Sequence, residues 1–530
     1  MRPDETVFLR PDVVIEPLVM RWRAWSHLIS PATAALHVTK RHIDIMRSFI
    51  HQPQVHRAAA RTPELAGGPF IDLNPSQTSA VAQLLTETLE AQKPLFELAD
   101  ALTETVDMLR RAPRDDSLEP LYLRIPEPLR GLIELVRDAQ GQAGFRLFEA
   151  LLYSTSYYQK RLQSVVFRRL DPDRRPFVLS TPDVEEDGAL HLARAFDSPE
   201  LELILESAER PSRLGDIAQA LGCDASDARL RDLFWTTPPS VAAPYDGGGV
   251  RVRYFGHATL LIEHAGVSVL TDPIVSAPTQ SGAPRYGWSD LPAKIDHVLI
   301  THNHKDHFCL ESLLRLRGRV VGSVIVPANA SGGLADPSMK LVLKACGFHN
   351  VVELHELDAL TTPGGRILGV PFLGEHGDLD IRSKIAFLVE LGGRRVLVAA
   401  DSNNLDTTLY ARLRAVIGDV DTIFISLECA GAPLSWLYGP LLPGPLRRDH
   451  DQSRRLSASD DARAAAMIDA LGCRDVKIYA MGLEPWLRFL TGVQYPDDSI
   501  QMRAAQRLCE ALSARGLRGE ICRGKGEWIL

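Results

Sequence analysis

Val298–Leu299–Ile300–Thr301–His302–Asn303–His304–Lys305–Asp306–His307 decides the fold class of this chain. An apolar, largely β-branched run ends at Thr301, and three histidines and an aspartate follow within six residues. A strand that stops abruptly delivers the next residues to the rim of its sheet as a tight loop. His302 and His304, two apart, can then aim at one metal ion, and Asp306 with His307 at a second position. Imidazole with carboxylate suits zinc, iron or manganese. An ordinary polar loop in a chain with 16 His among 530 residues seldom gathers such a group at a strand end.

Working outward, strand-like segments flank this loop. Upstream are Val252-Arg-Tyr-Phe-Gly-His-Ala-Thr-Leu-Leu-Ile-Glu and Gly266-Val-Ser-Val-Leu-Thr-Asp-Pro; downstream, Phe372-Leu-Gly-Glu-His carries Glu375, and Asp401 follows Val396-Leu-Val-Ala-Ala. This half resembles the metallo-β-lactamase superfamily. The resemblance implies an αββα sandwich in which the His-x-His-x-Asp-His loop, a later third ligand and a bridging aspartate hold two metals. Asp272, at a strand end, is either a support behind the metal loop, as in that superfamily, or a plain turn residue.

Composition bounds the rest. A length of 530 residues exceeds one ordinary core and favours two domains. A net charge of −8 gives no electrostatic footprint for nucleic acid. The charged start, Met1–Pro11, lacks the apolar core of a signal peptide, and no apolar run reaches membrane-spanning length. Seven scattered cysteines without a Cys-x-x-Cys pair suggest reduced thiols. The expectation is a cytoplasmic protein with no membrane and no nucleic-acid partner.

Residues 1 to about 170 read as mostly helical. Apolar residues recur at helical spacing from Leu85 through Leu89, Phe96, Leu102 and Val106 to Leu109, with Pro94 breaking or kinking the run. Leu129–Val136 and Phe145–Tyr158 read as further buried helices, and Phe177–Ser180 as a short strand. Leu214–Trp235 reads as helix, glycine-bearing turn, helix. Its second helix alternates Arg with Asp and lacks a basic face, so it reads as a structural hairpin rather than a DNA reader. The proline- and glycine-rich stretch from Pro238 to Gly249 marks a boundary near residue 245. A mainly helical (α+β) domain over 1–245 thus precedes an α/β domain over 246–530, where eleven strand and five helix segments alternate.

The ligand set has its own signature. Superfamily hydrolases normally use histidine as the later third ligand and close the second site with a histidine near the C-terminus. Here Glu375 stands at the first position, followed by His376, and no histidine follows His450. If Glu375 binds, three imidazoles (His302, His304, His307) face three carboxylates (Asp306, Glu375, Asp401). Such an oxygen-rich set suits iron that must reach higher oxidation states. If His376 binds instead, a dizinc hydrolase (lactonase, thioesterase or phosphodiesterase) is the alternative.

The substituted glutamate, with Glu428-Cys-Ala-Gly-Ala-Pro-Leu-Ser-Trp-Leu-Tyr-Gly-Pro-Leu and Ala480-Met-Gly-Leu-Glu-Pro-Trp, resembles one narrow family across nearly the whole chain. This is the family of diiron β-hydroxylases of nonribosomal peptide biosynthesis, best known from the chloramphenicol pathway. The resemblance implies an O₂-dependent monooxygenase that hydroxylates the β-carbon of an aminoacyl thioester, p-aminophenylalanyl-like, held on a peptidyl carrier domain for antibiotic synthesis. It implies two non-haem irons bridged by oxo and carboxylate groups: His302, His304 and Glu375 at one, Asp306 and His307 at the other, and Asp401 between them. It further implies an external reductase as electron donor and an N-terminal domain that dimerises and covers the site. Glu428, at a strand end, could orient a ligand or relay a proton, or merely end its strand. The segment from Arg447 to Arg455 clusters four arginines. It reads as a solvated loop, with docking of an acidic carrier as the alternative.

Overall fold

The computed structural model describes residues 2–169, 175, 177–184, 188–277, 283–329, 331–492 and 495–530. From Arg251 onward two seven-stranded sheets pack face to face. The first runs in the order Val351–Leu354, Val320–Pro327, Ile295–Leu299, Val267–Thr271, Thr259–His264, Arg251–Gly256, Gly526–Ile529. The second runs Ala359–Thr362, Gly365–Val370, Ala386–Leu391, Arg394–Ala400, Thr422–Ile425, Asp475–Ile478, Arg518–Ile521. Alternate residues of each strand, such as Val252, Tyr254, Ile262 and Val269 facing Phe387, Val389 and Val398, fill the space between the sheets, as the two-residue period of a strand requires. Helices Thr408–Ile417, Asp461–Ala470 and Ile500–Ala514 cover the outer face of the second sheet.

Helices Leu310–Leu316 and Met339–Ala345 cover the outer face of the first, and there the N-terminal part joins them. Its core is not separate. Val7, Ile15, Trp22, Leu98 and Phe167 belong to the same buried cluster as Leu261, Leu270, Val298 and Leu313. All eleven strands and five helices expected after residue 245 are present, with boundaries shifted by a residue or two. Ala359–Thr362, Arg518–Ile521 and Gly526–Ile529 were not foreseen; they are short and largely exposed or half-buried.

The N-terminal part carries more strand than its sequence suggested. The helical run does break beside Pro94, at Gln92, between Thr78–Ala91 and Lys93–Arg110. Leu129–Val136 and Phe145–Tyr158, expected as helices, instead contribute a hairpin, Ile133–Arg137 paired antiparallel with Ala143–Leu147, and only Glu149–Leu152 of the second stretch is α-helical. The signal lies between them: Asp138 Oδ1 accepts from the amides of Gln140 (2.9 Å) and Gln142 (2.8 Å), and Gly141 takes φ +80°, a turn that Asp and Gly favour. Phe177–Ser180 is a bend, not a strand. The hairpin near 214–235 forms as helices Leu214–Leu221 and Ala228–Asp232, and buries Ile217, Leu221 and Leu230 in the N-terminal core.

A buried ion cluster ties this part to the metal loop. Glu16 Oε1 lies 2.7 Å from both Arg23 and Arg175, and Oε2 lies 2.9 Å from Arg168. Arg175 also reaches Glu311 (2.6 Å), in the helix that follows the loop, and Arg23 reaches Asp183 (3.2 Å). Burial opposes the charge of Glu16, but Arg23, Arg175 and Arg168 outweigh it and hold its carboxyl down at about 2.

Candidate metal centre

Strand ends from both sheets converge on one rim of the sandwich. Ile295–Leu299 delivers the loop from Thr301 to His307, and Arg394–Ala400 delivers Asp401. Several residues at these ends sit in the left-handed region without being glycine: His257 (φ +50°), Asp272 (+35°), Glu375 (+69°) and Ala400 (+47°). Each such conformation costs on the order of 1 kcal/mol or more and marks strained turns that re-aim side chains.

Three groups of donor atoms result: His302 with His304 and Glu375; His302 with His307 and Asp401; and His257 with Asp306 and His307. His304 Nδ1 is 3.1 Å from Glu375 Oε1. Asp401 Oδ2 is 3.3 Å from His307 Nε2 and 3.9 Å from His302 Nε2, which places this carboxylate between the other two groups. His302 Nε2 and Asp401 Oδ1 are buried without a hydrogen-bond partner. A buried, convergent set of imidazole nitrogens and carboxylates with unpartnered atoms fits divalent cations.

The electrostatics agree. Burial, with neighbouring His307 and His304, holds His302 far below its usual range, so it is a neutral donor. Burial opposes the charge on Asp306, but the His257 hydrogen bond (3.1 Å) and His307 outweigh it and keep the carboxylate ionised. Burial also opposes protonation of His304, yet the Glu375 carboxylate pulls it up. Asp272 buttresses the loop from behind: it accepts from the Thr301 amide (2.7 Å) and hydroxyl (2.6 Å) and meets His307 Nδ1 at 2.8 Å. Holding the far nitrogen in this way fixes the tautomer and aim of the near one.

Glu375 and His376 do not alternate across a strand, because the segment is an irregular loop. Glu375 joins the donor group, whereas His376 Nδ1 is 2.9 Å from the Tyr438 hydroxyl and 3.3 Å from Glu375 Oε2. His304 Nε2 lies 3.1 Å from the same Tyr438 oxygen. Glu428 belongs to none of the three groups. It takes a hydrogen bond from the Tyr495 hydroxyl, and burial with repulsion from Asp401 pushes it up to about 8. A cavity of about 280 Å³ opens onto Asp306, Glu375, Asp401 and Glu428, walled also by Trp436 and Phe177.

The arginine cluster divides. Arg448–Ser453 is a short helix rather than a loop, with Arg447 and Arg448 exposed. Arg454 donates to Gly377 O (2.9 Å) beside the Glu375 loop, and Arg455 lines the cavity. Sequence reading missed His257, Tyr438 and Tyr495. The first had a signal, a Gly-His pair at a strand end; Tyr438 lay within the Glu428–Leu441 segment that resembles the family, and Tyr495 had none, since only folding brings it near.

Residues 8–239 match the diiron non-heme β-hydroxylase N-terminal domain, and residues 251–428 match a β-lactamase superfamily domain. A relative from Streptomyces venezuelae, 4-amino-L-phenylalanyl-[CmlP-peptidyl-carrier-protein] 3-hydroxylase, is 38% identical over 497 residues, 92% of this chain and 93% of its own. The chain belongs to the diiron β-hydroxylases. The solved structure of CmlA, a diiron β-hydroxylase from Streptomyces venezuelae, matches at a TM-score of 0.92 with 36% identity, over 99% of this chain and 100% of that one. A metal-dependent hydrolase of Mesorhizobium japonicum is 28% identical over 165 residues, only 27% of this chain. As a diiron β-hydroxylase the chain is an oxidising enzyme on a metallo-β-lactamase scaffold, and the hydrolase alternative is the less supported. Among the described residues no helix is long and apolar enough to cross a membrane.

Proposed function

We propose that the protein hydroxylates the β-carbon of an aromatic aminoacyl group, p-aminophenylalanyl or close to it, carried as a thioester on a peptidyl carrier domain. The carrier-bound substrate is that of the Streptomyces venezuelae relative. The observation that carries the reading is Glu375 beside His304, which makes the donor set oxygen-rich. His302, His304 and Glu375 would hold one iron, Asp306 and His307 the other, and Asp401 both. His257, hydrogen-bonded to Asp306, fixes that carboxylate. Two irons bound there supply the oxidising power to insert one atom of O₂ into a Cβ–H bond, with electrons from an external reductase.

The protein's own part is position and exclusion. The cavity, walled by Trp436 and Phe177 and opening onto Asp306, Glu375 and Asp401, has room for an aromatic side chain beside the metal ligands. Burial and repulsion from Asp401 push Glu428 up to about 8, so its carboxyl can hold or pass a proton at the metal-facing end of the cavity. Homodimerisation through the N-terminal part, a domain boundary near residue 245 and a cytoplasmic location complete the proposal.

The test is iron content together with turnover. Protein from iron-supplemented cells should hold two irons per chain, and with reductant and O₂ it should add one oxygen to a p-aminophenylalanyl carrier protein, read by intact mass. Two zincs, no iron uptake and hydrolysis of a simple ester would overturn the reading and put His376 in place of Glu375.

A further inference from the structure

Among the described residues, Arg41 is the one deeply buried arginine whose hydrogen bonds go only to another helix's carbonyls on the cavity wall. It stands in a π-helical turn, Val38–His42, set between helices Pro31–His37 and Ile43–His51. Such wide turns interrupt a helix to re-aim one side chain and cluster at functional places. Arg41 Nη2 donates to Ser435 O at 2.7 Å, and Nη1 donates to Trp436 O. Both carbonyls lie in the five-residue helix Leu434–Tyr438; Ser435 O also accepts from the Gly439 amide at the helix end, so Arg41 adds a second donor there. Among the described residues no carboxylate forms an ion pair with Arg41, although burial lowers its guanidinium to about 10. A buried cation without a counter-ion costs several kcal/mol of desolvation. A core requirement alone would be met by an apolar side chain at lower cost.

That short helix carries three residues of the site. Trp436 and Leu437 wall the cavity. Tyr438 sets its hydroxyl between His304 Nε2 (3.1 Å) and His376 Nδ1 (2.9 Å). The backing is close on the far side too: a Cβ on Gly68 would come within 3.2 Å of the Trp436 ring. So one guanidinium from the N-terminal part fixes both the wall against the substrate and the orientation of an imidazole in the metal shell.

We infer that Arg41 is a positioning residue for the hydroxylation: it clamps the Leu434–Tyr438 helix, through which the N-terminal part sets the substrate wall by Trp436 and the His304 imidazole by Tyr438. The inference rests on the diiron reading of the site. It separates two effects that share one cause. Releasing the clamp loosens both wall and imidazole, whereas removing the Tyr438 hydroxyl loosens the imidazole alone.

The experiment compares iron-loaded, full-length wild type with Arg41→Met, Arg41→Lys and Tyr438→Phe. Iron per chain, the visible and magnetic-resonance spectra of the centre, KM for the aminoacyl carrier and O₂ consumed per product are measured on each. Arg41→Met should keep two irons, shift the spectra, raise KM and waste O₂, and Arg41→Lys should restore part of the KM. Tyr438→Phe should shift the spectra with KM near wild type. Unchanged spectra and KM in Arg41→Met would overturn the clamp, as would a fall in melting temperature alone. A raised KM in Tyr438→Phe equal to that of Arg41→Met would overturn the division of roles. Absence of iron in the wild type would overturn the diiron reading and the clamp with it.

Discussion

Two clusters of buried charge lie on either side of the loop from Thr301 to His307, and they are balanced in opposite ways. Around Glu16, three carboxylates (Glu16, Asp183, Glu311) meet three guanidinium groups (Arg23, Arg168, Arg175). The protein neutralises that cluster by itself. Around Asp401, three carboxylates (Asp306, Glu375, Asp401) meet imidazoles, of which His302 is held neutral, and buried donor atoms are left without partners. Without metal its carboxylates pull protons onto His304 and His307, and divalent cations would take the place of those protons. One cluster therefore belongs to folding and the other to binding, though both consist of buried carboxylates facing nitrogen.

Breaking each cluster should expose that difference. The largest effect is expected from Asp401→Ala: iron is lost and hydroxylation falls below detection, while the melting temperature of the metal-free protein changes little, because the lost contact with His307 is offset by relief of repulsion from Glu375 and Asp306. A large fall in the metal-free melting temperature would show that Asp401 serves folding after all. Next comes Arg175→Met, which takes the arginine from Glu311 and leaves Glu16 with two of its three. Removing one partner from such a cluster costs about 3–5 kcal/mol, read by denaturant unfolding of metal-free protein.

The Glu16 cluster should also have a characteristic acid profile. Its folded carboxyl titrates at about 2 against an ordinary 4.5. Its stabilisation, about 3 kcal/mol by linkage, is present above pH 4.5 and is lost as pH falls from there through 2. Glu16→Gln should flatten the stability curve over that window. Asp272→Asn should do little to folding but weaken iron binding by about 10–100-fold, the usual effect of removing a carboxylate that supports a ligating histidine; competition with a chelator reads it. Arg447→Ala, at an exposed helix start away from both clusters, should stay within about 0.5 kcal/mol of wild type.

Most of the binding cluster could be read in the sequence because its donors are contiguous or follow strand signals. His302, His304, Asp306 and His307 lie within one loop, and Asp401 follows an apolar run whose end is plain. Glu375 could be read only as one of two neighbours, since the choice depends on a left-handed turn at φ +69°. Two-residue periodicity located the buried sandwich strands. It did not locate edge strands such as Gly526–Ile529, which alternate half-buried and exposed residues. The folding cluster could not be read at all: Glu16, Arg175 and Glu311 are far apart along the chain, and nothing local marks a charge that will be buried. The hairpin at 133–147 was missed for a different reason. Its strands are short and only partly buried, so aromatic content outweighed the Asp138–Gly141 turn.

The shared hydrophobic core beneath the first sheet bears on whether the catalytic half can be moved. Because Val7, Trp22 and Phe167 complete the same cluster as Leu270 and Leu313, residues 246–530 do not form a portable cassette. Made alone, they would present a wet, apolar sheet face and aggregate. Moving residues 246–530 onto another scaffold would therefore require redesigning the seam rather than the active site.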